Sequence, residues 1–206
     1  MRIISPSFEI LTEIKEPMKA LIRLEKIGRT CYKSESEFDE LSAKDFCDMI
    51  LHNQHESVIE HEYISVRIIC DRGVSHEIVR HRLASYSQES TRYCNYSKGK
   101  FGGELTFIKP CFWDERSREY MQWVSILSSI ENAYMSMVRT GSSPQEARSI
   151  LPNSLKTEIV MTANLREWKH FFKLRTSKKA HPQMRELSVP MLEKFRELIP
   201  VIFEEI

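Results

Sequence analysis

Glycine is scarce in this chain: there are six in 206 residues, and three of them fall together at Gly99, Gly102 and Gly103. No Gly-x-Gly-x-x-Gly occurs, so a dinucleotide is not held here on the glycine-rich turn of a Rossmann unit. The cysteines are five, an odd number: Cys31, Cys47, Cys70, Cys94 and Cys111. Their wide spacing argues against a disulfide framework and against Cys-x-x-Cys metal knuckles, and suits reduced thiols. No run approaches the ~18 apolar residues of a membrane span. Residues 1–6 show no signal-peptide pattern, and the expectation is a cytoplasmic protein with no membrane partner. Neither sign of charge dominates, with 30 Lys and Arg against 29 Asp and Glu. That balance argues against general nucleic-acid binding, so any anion site has to be built locally. Repeats and linkers are absent, and the length suits a single domain over residues 1–206.

What is present is concentrated in Arg80–Tyr93, which packs three Arg, one His, three Ser, one Thr and two Tyr into a single stretch. Guanidinium forks and short hydroxyls hold phosphate oxygens through charge-assisted, often bidentate hydrogen bonds. On composition alone a solvated basic turn is also open. The arrangement is more specific: Arg80-His81-Arg82, seven residues, Ser90, then Arg92. By average residue usage such a pattern arises by chance in roughly one chain of this length per thousand.

Other clusters surround it. His52-Asn53-Gln54-His55-Glu56-Ser57-Val58-Ile59-Glu60-His61 invites a metal reading, but no His-Glu-x-x-His is present and no cysteine is near. The alternative is a loop whose His and Glu are satisfied by hydrogen bonds. Arg148, just before Pro152, is a surface charge by default, and Arg175 suits the cationic end of a helix. Pro110-Cys111 lies in a segment, Phe107–Trp113, that is apolar apart from Lys109. A nucleophilic thiol needs nearby cations or a helix N-terminus, so a packed thiol is expected there.

Five of these segments, in order between about residues 52 and 185, resemble the flavin-dependent thymidylate synthases. His55-Glu56-Ser57-x-x-Glu60-His61 is similar to a family segment in which the first His lies at the active-site mouth and a Thr at the Ser57 position contacts FAD. The Arg80–Arg92 pattern resembles the family signature. The resemblance implies flavin binding by Arg80, His81, Arg82 and Gln88, and dUMP binding by Glu77, Arg80, Gln88, Glu89, Ser90, Thr91 and Arg92. Ala147-Arg148-x-x-Leu151-Pro152 is similar to a motif whose Arg binds the pyrimidine nucleotide. Asn164-x-Arg166 and His170 resemble flavin contacts. Phe171-x-x-Leu174-Arg175 resembles a motif whose Arg polarises the uracil, which makes Arg175 the expected catalytic residue. The chain departs from the pattern at Val58 (Pro in the family), Glu77 (Gln), Gln88 (Glu) and His170 (Asn). The implied activity is reductive methylation of dUMP to dTMP with FAD, NADPH and 5,10-methylenetetrahydrofolate, by a homotetramer with shared active sites, no resident metal and no cysteine nucleophile. Two other readings stand beside it: a non-catalytic nucleotide- or RNA-binding module using the Arg80–Arg92 loop, and a metal hydrolase built on His52–His61. The first is weakened by the lack of a basic, aromatic-interleaved face.

The periodicities predict strands early and helices late. A strand is expected over 2–14 with a turn at Pro6, a helix from Pro17, a helix over 40–53, and a strand over Tyr63–Cys70 with Ile64, Val66, Ile68 and Cys70 on one face. After a turn at Asp71-Arg72-Gly73, a helix over 74–83 is expected to run into a hydroxyl-rich loop. Lys98–Gly103 reads as a mobile loop, Leu105–Ile108 as a strand, and Tyr120–Arg139 as a helix. Ser143-Pro144-Gln145-Glu146 is a capping box. Further helices are expected over 167–174 and over 184–203, the last interrupted at Pro190. The class is α+β: a mainly antiparallel sheet flanked by helices, with a helix-rich C-terminal half.

Overall fold

The computed structural model describes residues 1–13, 16–34 and 38–206. Ile14, the last residue of the expected N-terminal strand, lies outside them. About half of the chain is helical, and the class is α+β as expected. Strands β1 (Arg2–Ile4) and β2 (Ser7–Ile10) are separated at Pro6 and join different sheets. Strand β3 (Tyr63–Asp71) buries Ile64, Val66, Ile68 and Cys70, the alternate face read from the sequence. It continues into helix α3 (Arg72–Ile78), whose N-cap Asp71 accepts a 2.6 Å hydrogen bond from the Val74 N–H. Asp71-Arg72-Gly73 is therefore a helix start rather than a turn. The helix also ends earlier than expected, so Arg80–Arg82 lie beyond it. The hydroxyl-rich segment is strand β4 (Ala84–Gln88), not a loop.

Strand β6 (Lys156–Asn164) was not anticipated, yet it pairs with both β3 and β4. The four-stranded sheet has order β2-β3-β6-β4 and is antiparallel. Strand β5 (Thr106–Ile108) runs parallel to β1, with Ile3 opposite Phe107. The glycine cluster forms a short 3-10 turn over Gly99–Phe101, with Gly102 and Gly103 at positive φ, a conformation that a side chain would strain.

Contacts group the chain into two units. The first comprises residues 1–7, 68–80 and 87–159. Its core joins Tyr96, Leu105, Phe107, Leu127, Tyr134, Ala147 and Leu155. Helix α4 (Arg118–Arg139) supplies two of these, and the one-turn helix α5 (Pro144–Ala147) carries the expected capping box. The Met1 ammonium pairs with Glu104 and Glu131, each at 3.0 Å.

The second unit comprises residues 8–67, 81–86 and 160–206. Helices α1 (Pro17–Arg29) and α2 (Glu40–His52) pack closely at Gly28, where an added Cβ would lie 2.4 Å from Phe46 Cζ. Helix α6 (Leu165–Arg175) and helix α7 (Pro182–Leu198) enclose an aromatic cluster of Trp168, Phe171, Phe172, Phe195 and Phe203. The Trp168 indole donates to the Ile64 carbonyl at 3.0 Å, which fixes α6 against β3. Helix α7 runs through Pro190, which is exposed. The expected interruption falls instead at Ile199, before helix α8 (Pro200–Phe203).

Candidate active site

In the first unit the predicted nucleotide residues lie on the end of β4 and the turn that follows. The Gln88 amide donates to Ser75 Oγ (2.9 Å) and Thr157 Oγ1 (3.1 Å), joining α3 to β6. The Glu89 N–H donates to the Glu158 carbonyl at 2.8 Å, which extends the β4–β6 register by one residue. Its carboxylate accepts from the Tyr96 hydroxyl at 2.8 Å and pairs with Lys156 Nζ at 2.6 Å. Glu89 is thus committed to the protein. Beyond it the Ser90 carbonyl accepts the Cys94 N–H at 2.9 Å, closing a tight turn. Thr91 is buried, and Arg148 reaches its hydroxyl at 3.4 Å. Arg80 and Arg92 are exposed, and the Arg92 guanidinium lies over the Tyr93 ring. Glu77 is half-buried on α3. The turn therefore presents Ser90, Arg92 and Arg148, two cations and a hydroxyl suited to a phosphate.

In the second unit the structure brings His81, His170 and Arg175 together, with Glu167 among them. His81 is 3% exposed, and its Nδ1 lies 3.1 Å from Glu167 Oε1. Arg175 Nε donates to His81 Nε2 at 3.1 Å. The His81 carbonyl accepts from the Tyr86 hydroxyl at 2.6 Å. Burial, and then the Arg175 and His170 charges, lower the His81 pKa to about 4, so the ring is neutral. Burial likewise holds the Glu167 carboxyl above its ordinary value.

Asn164 caps α6 by accepting the Glu167 N–H at 2.8 Å. Arg166 pairs with Glu60 at 2.6 Å and Lys169 with Glu56 at 2.6 Å, so the acids of the His52–His61 segment face α6. His52, His55, Ser57 and His61 are exposed. Among the described residues the three histidines do not gather as metal ligands, whereas His81, Glu167 and His170 place ligand-type atoms within 4.8 Å of one another. A cavity of about 1660 Å³ opens on this face, lined by Glu56, Glu60, Leu83, Asn164, Arg166 and His170 among others. That exceeds the ~300–1,000 Å³ typical of drug-sized ligands.

Sequence reasoning missed Glu167, Tyr86 and Lys156. Glu167 carried a readable signal. It stands four residues before Phe171 and one before Trp168, on the apolar face of α6, where a carboxylate demands a partner. Cys111 is exposed, not packed as expected, and lies in the turn that follows β5. Cys47 and Cys70 are the buried thiols, and burial pushes Cys47 up to about 12 and Cys70 higher still.

A family model described as thymidylate synthase complementing protein matches residues 14–201. The flavin-dependent thymidylate synthase of Geobacter sulfurreducens is 35% identical over 185 residues, 86% of this chain and 78% of that protein. The flavin-dependent thymidylate synthase of Pyrococcus furiosus is 34% identical over 184 residues, 87% of this chain and 75% of that protein. Among solved structures, the UMP/dUMP methylase PolB from Streptomyces cacaoi, bound with 5-Br dUMP, superposes with a TM-score of 0.77. It covers 99% of this chain and 96% of that one at 19% identity, a likeness of fold. With the family model spanning nearly the whole chain and relatives above 30% identity on both sides, the chain belongs to the flavin-dependent thymidylate synthase family.

Proposed function

We propose that this protein methylates dUMP to dTMP, with FAD as cofactor and with NADPH and 5,10-methylenetetrahydrofolate as co-substrates. The observation that carries the reading is the neutral, buried His81 holding the Arg175 guanidinium by its Nε. An arginine anchored through one nitrogen and always charged suits the carbonyl and ring nitrogen of a pyrimidine. Arg175 is the catalytic residue in this proposal: it draws charge out of the ring and favours attack through the carbon that receives the methyl group. Ser90, Thr91, Arg92 and Arg148 bind the nucleotide with Arg80 and Glu77. Gln88 and Glu89 hold that segment in place rather than touch the phosphate.

The donor set fits FAD. Arg166 is about half exposed, and its pairs with Glu60 and Glu56 are surface ion pairs worth ~0–1 kcal/mol. It can exchange them for a diphosphate at ~1.5–3 kcal/mol per charge-assisted hydrogen bond. Asn164, His170, Ser57, Arg80 and Arg82 complete the set, with His81 supporting them from behind through Arg175 and Glu167, and His55 stands at the mouth. When bound, FAD supplies the redox chemistry, while these residues orient it. No cysteine nucleophile enters the scheme. Arg82 is exposed, and the residues for each ligand come from several separate stretches of chain. That dispersal supports a homotetramer with shared active sites as part of the same proposal. A cytoplasmic setting belongs to it too, since dUMP, folate and nicotinamide are supplied there.

The test is turnover of dUMP by the FAD-loaded protein with NADPH and methylenetetrahydrofolate, the product identified by mass. Formation of dTMP, and NADPH oxidation accelerated by dUMP, are expected. An oxidation rate indifferent to dUMP would show a general flavin reductase instead.

A further inference from the structure

Arg175 does not stand alone on α6. Its Nε donates to His81 Nε2 at 3.1 Å, and His81 Nδ1 lies 3.1 Å from Glu167 Oε1. A guanidinium has no acceptor and keeps its protons in proteins. His81 Nε2 must therefore be the acceptor, which puts the ring proton on Nδ1, pointing at the Glu167 carboxylate. Both side chains are nearly closed to water: His81 is 3% exposed and Glu167 7%. The ring has little freedom to turn away, with Phe171 at 4.9 Å, His170 at 5.5 Å and the His81 carbonyl tied to Tyr86.

We propose that Glu167 is a positioning residue: by holding the proton on His81 Nδ1, it makes Nε2 the acceptor that aims the Arg175 guanidinium. The inference rests on the reading above only in taking the pyrimidine as what Arg175 meets. In this proposal Glu167 acts through His81 and not directly on substrate or cofactor. It stands in the first turn of α6, and its N–H is capped by Asn164. Removing its carboxylate leaves the cap in place but lets the ring proton move to Nε2, where it opposes the Arg175 N–H. The donors then repel, and the guanidinium loses its anchor. His81 and Glu167, with His170, also form a cluster of metal-ligand type. A metal on His81 would have to replace either the Nδ1 proton or the Arg175 contact.

The experiment uses the full chain with FAD bound, its histidines labelled with 15N, as wild type, Glu167→Gln and Glu167→Ala, with His81→Gln to assign the ring. Wild type is expected to show a protonated Nδ1 and an acceptor Nε2. Glu167→Gln, whose amide oxygen still accepts, keeps that pattern and binds dUMP within about threefold of wild type. Glu167→Ala moves the proton toward Nε2 and weakens dUMP about tenfold, the scale of one charge-assisted contact. Should the alanine variant not fold, Glu167→Asp, with its carboxylate withdrawn by one methylene, takes its place. Unchanged ring nitrogens in the alanine variant would overturn the proposal, as would unchanged dUMP affinity with a shifted proton, or Zn²⁺ bound by wild type through these histidines. If wild type itself fails to bind dUMP, the thymidylate reading fails, while the ring nitrogens still decide whether Glu167 sets the tautomer.

Discussion

Glu89 gives the sharpest separation between touching a nucleotide and holding the segment proposed to do so. Its carboxylate takes the Tyr96 hydroxyl at 2.8 Å on one oxygen and Lys156 at 2.6 Å on the other. The Glu89 and Lys156 side chains are 15% and 21% exposed, so the pair is poorly screened. Glu89→Gln keeps an acceptor for Tyr96 and removes the ion pair, a loss of ~1.5–3 kcal/mol. Glu158, 3.8 Å from Lys156, offsets part of it, which places the cost in the lower half of that range. For a chain of this size each kcal/mol is worth ~2–4 °C in melting temperature, so a fall of roughly 3–8 °C is expected. Glu89→Ala also strands the buried Tyr96 hydroxyl, at a further ~1–3 kcal/mol, and melts lower still. Lys156→Met combined with Glu89→Gln is expected to cost less than the sum of the two single changes, by about 1 kcal/mol or more. Thermal unfolding followed by circular dichroism, with and without dUMP, reads wild type and the four variants. The reasoning is refuted if Glu89→Gln melts with wild type yet no longer binds dUMP, because Glu89 would then contact the nucleotide directly.

Three further outcomes are expected. Gly28→Ala drives a Cβ to 2.4 Å from Phe46 Cζ and should destabilise the fold by ~1–2 kcal/mol, an overpacking cost partly offset by better helix propensity; denaturant unfolding measures it, and Phe46→Leu in the same chain should restore stability. Because the folded His81 pKa is lowered to about 4, the unfolded chain binds the extra proton between pH ~6.5 and 4, and stability falls as pH drops through that window by up to ~1.4 kcal/mol per unit. The raised Glu167 pKa acts in the opposite sense but in both proteins, whereas the His81 loss belongs to wild type alone, so the stability gap between wild type and His81→Gln should narrow, not widen, from pH 6.5 to 4. Cys111→Ser, at an exposed turn, should leave dTMP formation within roughly tenfold of wild type; a loss above a thousandfold in the folded protein would bring back a cysteine nucleophile.

The elements that were legible share one property: their local signals agree with their burial. Pro17 starts α1, Asp39 and Ser42 cap α2 reciprocally, and the alternation of β3 is repeated in its buried residues. Strand β6 was hidden because its alternation is chemically blurred. Thr157, Ile159, Met161 and Ala163 are buried, but Thr and Ala are weak apolar markers, and Val160 interrupts the polar face. A strand in the middle of a sheet tolerates such mixing because both its faces are partly covered. The end of α3 was misread for a related reason. Val74, Ile78 and Leu83 share a helical face on paper, but Leu83 is 74% exposed and contributes nothing to a core that would prolong the helix.

The candidate site is legible where its chemistry stands out along the chain and hidden where the partners lie far apart in sequence. Arg80, Arg82 and Arg92 were found as a dense run of cations in a chain of balanced charge, and they are exposed. Glu89 stands in the same run, yet its carboxylate is spent on Tyr96 and Lys156, residues 7 and 67 positions away. Only the β4–β6 pairing brings Lys156 to it, and that pairing depends on the strand the periodicity concealed. Glu167 is the converse case. A carboxylate on the Trp168–Phe171 face of α6 is costly unless charged or polar groups meet it there, and His81, 86 residues earlier, does so. An acid in phase with an apolar stripe thus predicts a buried partner even where the sequence does not say which. In this chain that partner is the histidine of the Arg-His-Arg run, which links the most conspicuous motif to the least conspicuous residue of the site.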